Sequence, residues 1–102
     1  MTKLELNDKL AGLYGLKPFT MIGCDIPAID DSAIMFDLMI EHNILLDFFW
    51  FNIDEVNPKY YTARQKGFMG ASDMVFLKDH ESPQAAARYA GAMALVKLAE
   101  IK

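Results

Sequence analysis

The sequence predicts an α+β fold: a small antiparallel sheet of three to four strands packed with about three helices, in the order α-α-β-β-β-α, with sandwich-like layering. Three observations predict it. Apolar residues recur at helical spacing near the start of the chain, aliphatic and aromatic residues fill positions 44–53 almost without interruption, and an alanine-rich stretch opens behind Ser82-Pro83. No repeat, linker or low-complexity segment divides the sequence, so residues 1–102 are expected to form a single domain.

Thr2 stands three positions before Glu5, the reciprocal capping arrangement, and Leu6, Leu10 and Leu13 follow at helical spacing. A first helix is predicted from Lys3 to Tyr14. Gly15 closes it by taking left-handed backbone angles, and Pro18 blocks its resumption. Phe19 to Gly23 reads as a short strand, and Cys24 to Ile29, with Pro27 among alternating apolar residues, as an irregular connection. Asp30, Asp31 and Ser32 are N-cap candidates for a second helix. That helix carries Ile34, Leu38 and His42 on one face, with Met35 and Met39 beside them, and ends near Asn43.

Ile44 to Ile53 reads as a strand covered on both faces, by helices on the two sides or by a partner chain on one of them. Leu46, Phe48 and Trp50 point one way, and Leu45, Phe49 and Phe51 the other, with Asp47 interrupting the second set. Asn57-Pro58 marks a turn, Tyr60 to Gln65 alternates like a half-exposed strand, and Met74 to Lys78 supplies a third strand after the Gly67 to Gly70 corner. Ser82 caps the longest helix, with Pro83 at the first helical position, and that helix runs to about Ile101. Its rows Ala86-Ala90-Ala94 and Ala87-Gly91 let a neighbouring element approach closely, while Tyr89, Met93 and Val96 make a bulkier row.

Composition narrows the function classes. Hydrophobic residues make up 53% and charged residues 24%, the balance of a globular chain, and no apolar run reaches the roughly 20 residues of a membrane span. The first residues lack the apolar stretch of a secretory signal, so the cytoplasm of the host cell is the expected compartment. Ten basic residues against fourteen acidic ones give a net charge of −4, the wrong sign for a protein that neutralises many phosphates. Nucleic-acid binding is therefore disfavoured, although Lys59, Arg64, Lys66 and Lys78 with Tyr60, Tyr61 and Phe68 have the residue types of a stacking surface.

No catalytic, cofactor or metal site is predicted. Cys24 is the single cysteine and sits among apolar neighbours, as a buried hydrophobe does, and His42 and His80 are the only histidines available to a metal. Gly67-Phe68-Met69-Gly70 lacks the Lys-Ser/Thr of a phosphate-binding loop. The informative feature is a surplus of large apolar side chains: seven Phe, seven Met, four Tyr and one Trp. A small domain struggles to bury them all, so a contact surface is expected, drawn from Phe49, Trp50, Phe51, Tyr60, Tyr61, Phe68 and Met69.

The arrangement resembles the phage ABA (alpha-beta-alpha) sandwich domain family of small phage and prophage proteins. The resemblance is carried by Tyr14-Gly15-Leu16 at the end of the first helix and by the Asp-initiated helix leading into the aromatic strand, Asp30 to Trp50. The segment Asp79-His80-Glu81-Ser82-Pro83-Gln84-Ala85-Ala86-Ala87, opening the alanine-rich helix, completes it. Where that family has a tryptophan near the start of its second helix, this chain has Pro27 to Asp30. The resemblance implies phage origin and transfers no catalytic residue. The function expected from these readings is a non-enzymatic phage accessory protein that binds a host or phage protein, with a homodimer as one form and inhibition of a bacterial defence such as CRISPR interference as one role. The alternative is a small-molecule-binding domain or minor enzyme with its pocket between the aromatic strand and the C-terminal helix, around Trp50, Tyr61 and Tyr89.

Overall fold

Helix α1 spans Lys3–Tyr14, held at its start by Thr2, whose Oγ1 accepts from the Glu5 amide at 3.2 Å and donates to Glu5 Oε1 at 3.1 Å. It closes at Gly15, whose φ of 67° is open to glycine without a Cβ penalty, and the Gly15 amide bonds back to the Ala11 carbonyl. This computed structural model describes residues 2–21, 25–50, 59–65 and 74–101. Strands β1 (Phe19–Met21) and β2 (Asp25–Pro27) then pair antiparallel, Phe19 opposite Pro27, and a 3-10 turn covers Ala28–Asp30. Helix α2, Ser32–Glu41, starts where the Asp31 carboxylate accepts from the Ile34 amide at 3.1 Å. Asn43, at φ 57°, turns the chain into the sheet, a position asparagine tolerates better than most side chains.

Strands β3 (Ile44–Trp50), β4 (Lys59–Gln65) and β5 (Val75–Phe76) form an antiparallel sheet in that order, Leu46 opposite Ala63 and Tyr61 opposite Val75. A second 3-10 turn, Leu77–Asp79, leads to helix α3, Pro83–Ile101, capped by Ser82 Oγ accepting from the Ala85 amide at 3.1 Å. Three helices and a three-stranded antiparallel sheet make this an α+β fold, as the sequence predicts.

The core is organised around α3, which packs against all three strands of the sheet, against α1 and α2, and against both 3-10 turns. A helix surrounded in this way is buried almost all round, and Ala86, Ala90, Ala92, Ala94, Leu95, Val96 and Leu98 are all buried. Alanine is what permits it, since short side chains let backbones approach from several directions. The approach is close at Gly91, where an added Cβ would lie 2.5 Å from Met39 Sδ of α2. Against this helix Leu6 and Leu10 of α1, Ile29, Met35 and Leu38, Ile44, Ala63 and Val75 complete one apolar cluster. Each fully buried aliphatic side chain in it contributes about 1.5–3 kcal/mol.

Three details depart from the expectations. The segment Cys24 to Ile29 is not simply irregular, because Asp25–Pro27 pairs with β1; Pro27 ends the strand, where its missing N–H costs no ladder bond. The last strand stops at Phe76, and Leu77 and Lys78 belong to a 3-10 turn. Among the described residues helix covers β3 on one face: Ile44, Leu46 and Ala63 join the core, while Leu45 and the Arg64–Asp47 ion pair (3.0 Å) on the other face meet solvent. The cause is that α1 buries its apolar stripe against α3 rather than on the far side of the sheet. Residues 51–53 lie outside the described residues.

A candidate ligand cleft beside the central helix

Residues 88, 91 and 95 of α3 form one helical stripe, and it faces the other helices: Arg88 Nη1 donates to Ser32 Oγ at 2.8 Å, Gly91 meets Met39, and the Leu95 carbonyl accepts from Tyr14 Oη at 2.6 Å. Burial pushes the Tyr14 hydroxyl pKa up from its usual value. A second stripe, Ala85, Tyr89, Met93, Val96 and Glu100, points elsewhere, into a cleft of about 780 Å³. Its far walls are Lys3 and Leu6 of α1, the first 3-10 turn at Ile29 and Asp30, and the segment Met74–Phe76 with Asp79, His80 and Glu81.

The cleft has an apolar floor and a charged lip. Leu6, Ile29, Val75 and Val96 at its base are buried. At the lip Lys3 Nζ is paired with Asp30 Oδ2 at 2.8 Å, and Glu100 reaches Lys9 outside the cleft at 3.4 Å. The His80 ring packs at 4.8 Å from the Tyr89 ring, tilted by 48°. Desolvation beside that wall lowers the His80 pKa below the ordinary imidazole value; Lys3 lowers it further and Asp79 opposes. A neutral imidazole there offers one donor and one acceptor. The 3-10 turn at Leu77–Asp79 makes this wall, because it swings the chain off the sheet and brings His80 against α3.

Of the residues expected at a contact surface, four lie in the paired strands β3 and β4. Tyr60 is buried, with its ring 5.5 Å from Phe76, whereas Tyr61, on the opposite face, packs at 5.1 Å from the half-exposed Phe48. Phe49 and Trp50 lie in β3 opposite Tyr60 and Lys59, and Phe51, Phe68 and Met69 lie outside the described residues. Several described members of the basic stacking set have contacts of their own. Arg64 is engaged by Asp47, Tyr60 and Tyr61 do not share a face, and Lys78 sits 5.8 Å from the Phe76 ring; Lys66 is outside the described residues. Of the three residues expected around a pocket, Tyr89 lines the cleft and Tyr61 does not.

Sequence reasoning placed a pocket against α3 at Tyr89 but missed the walls that α1 and residues 74–81 supply, and it missed the most exposed apolar side chains of α2, Phe36 and Ile40, which stand one helical turn apart on its outer face; Ile40 is 75% exposed. The i, i+4 spacing was there to be read, but so were Ile34, Leu38 and the methionines, and an all-round apolar helix does not announce which face is left over. Among the described residues no three His, Cys, Asp or Glu side chains gather to hold a metal ion, and no helix is long and apolar enough to cross a membrane. His42 caps α2 with its ring at 5.0 Å from Tyr14, and Cys24 lies outside the described residues. Comparison of the chain with protein-family models, with curated proteins and with solved structures returned no match.

Proposed function

We propose that this chain is a non-enzymatic accessory protein, of the phage-encoded kind its arrangement resembles, that works in the host cytoplasm by binding another protein through the outer face of α2. The observation that carries this reading is the pair Phe36 and Ile40, large apolar side chains left to solvent on one helix face while Met35, Leu38 and Met39 fill the core beneath. Such a pair suits the centre of a protein contact, where burial of apolar area supplies most of the affinity. Suppression of a host defence, CRISPR interference among them, is the role we assign to that contact. The test compares the wild-type chain with a Phe36→Ser, Ile40→Ser variant as bait in host lysate, alongside light scattering of each. A stoichiometric partner, or a homodimer, present for wild type and lost in a variant of unchanged thermal midpoint is the expected result. Equal recovery by both baits, with both monomeric, would defeat the reading.

A second reading is favoured by the cleft itself. About 780 Å³ falls within the range of roughly 300–1,000 Å³ typical of small-ligand sites, and an apolar base with a few polar groups at the lip is their usual construction. On this reading the chain holds a small organic molecule against Tyr89, Met93 and Val96.

A further inference from the structure

We propose that the cleft selects an organic cation with an apolar body, an alkyl- or arylammonium, whose body lies against Tyr89, Met93 and Val96 and whose charged end sits at the lip beside Asp79 and Glu81. The inference rests on the second reading above and adds to it the chemistry of the ligand. The base of the cleft, Leu6, Ile29, Val75 and Val96, offers a ligand apolar contact only. Charge enters at the lip, and there it is unbalanced. Lys3 is already neutralised by Asp30 at 2.8 Å, whereas among the described residues neither Asp79 nor Glu81 takes part in an ion pair. Both belong to the segment that also carries His80, so their carboxylates stand beside the aromatic wall that His80 and Tyr89 build.

Three attractions then act on one ligand. The Tyr89 ring presents a π face to an apolar body or to the cation next to it. Asp79 and Glu81 attract the ammonium through their charge, and His80, kept neutral over more of the pH range by burial, adds no opposing charge and can accept one N–H. An anion of the same shape meets the two carboxylates, with Lys3 already engaged by Asp30 and Lys97 set farther along α3, and is rejected. Because both carboxylates are exposed, each contributes modestly, and the pair should favour the cation about three- to tenfold over a neutral analogue.

The experiment uses three probes with one aromatic body: 2-phenylethylammonium, 2-phenylethanol and phenylacetate. Binding to the full chain is measured by saturation-transfer NMR and titration calorimetry, for wild type, for Asp79→Asn with Glu81→Gln, and for Met93→Trp, which fills the cleft. We expect the ammonium to bind most tightly and phenylacetate least. The Asp79→Asn, Glu81→Gln variant should bring the ammonium to the level of the alcohol and leave the alcohol unchanged, and Met93→Trp should abolish all binding. Equal affinity for ammonium and alcohol, or tightest binding of phenylacetate, overturns the cation inference while leaving a ligand cleft standing. Absence of binding by all three probes, or binding undiminished in a folded Met93→Trp chain, overturns the cleft reading itself. The two carboxylates are surface groups, so their variant keeps the test decisive even if Met93→Trp does not fold.

Discussion

Asn7 shows how one side chain tilts a whole helix face. It is completely buried, its Nδ2 donates to the Pro18 carbonyl at 2.8 Å, and its Oδ1 accepts from the Ile29 amide at 2.9 Å, so one amide ties α1 to the chain on either side of the first hairpin. The sequence marks Leu6, Leu10 and Leu13 as the apolar stripe, yet Leu13 is 45% exposed. At about 100° per residue, the buried set Leu6, Asn7, Leu10 and Ala11 centres about 90° away from Leu13. A polar residue in a helix reads as a surface residue, and nothing in the local pattern reveals that Pro18 and Ile29 will supply its partners. Replacing Asn7 by leucine orphans the Ile29 amide, whereas the Pro18 carbonyl keeps its bond from Ala28. Urea denaturation of Asn7→Leu should show a loss of about 1–3 kcal/mol. A loss below about 0.5 kcal/mol would mean that water reaches the Ile29 amide.

At the scale of elements, what was legible was what short-range chemistry dictates. Thr2, Asp31 and Ser82 each cap the helix that the sequence assigns to them, and Gly15 ends α1 where expected. Less legible were the elements defined by distant partners: β2 forms only because β1 lies alongside it, and the turn at Leu77–Asp79 forms where β5 leaves the sheet. The small-residue rows of α3 announced close packing without naming what comes close. At Gly91 the neighbour is Met39. Alanine in place of a helical glycine ordinarily stabilises by about 0.5–1 kcal/mol. Here it displaces a buried Met39, at a cost of about 1–3 kcal/mol, so Gly91→Ala should be net destabilising. Combining it with Met39→Ala should reverse the sign of its effect, giving a coupling of at least about 1 kcal/mol in a double-mutant cycle. Strict additivity of the two substitutions would show that this contact does not form in solution.

For the whole molecule, pH is the simplest lever, since His80 docks the segment before α3 onto the rest of the protein. Its pKa is lower in the folded chain than in the unfolded one, chiefly through desolvation, with Lys3 adding to the effect and Asp79 opposing it. Above the ordinary imidazole pKa both states are neutral and the fold keeps its full stability. As the pH drops below about 6.5 the unfolded chain binds a proton first, and stability falls until the folded-state pKa is passed. Thermal midpoints taken between about pH 7.5 and 5 should therefore decline more for wild type than for His80→Gln, and parallel curves would refute the assignment. The fold class was readable because capping and periodicity are local; the layer order was not, because it depends on which surface α1 chooses. That choice fixes the order in which the molecule can be made. Residues 83–101 organise the helices and the sheet alike, yet they leave the ribosome after every element they hold together. Until then the nascent chain has strands and helices with no common centre, so productive collapse waits for α3 to emerge, and the apolar faces of the earlier elements stay uncovered in the meantime.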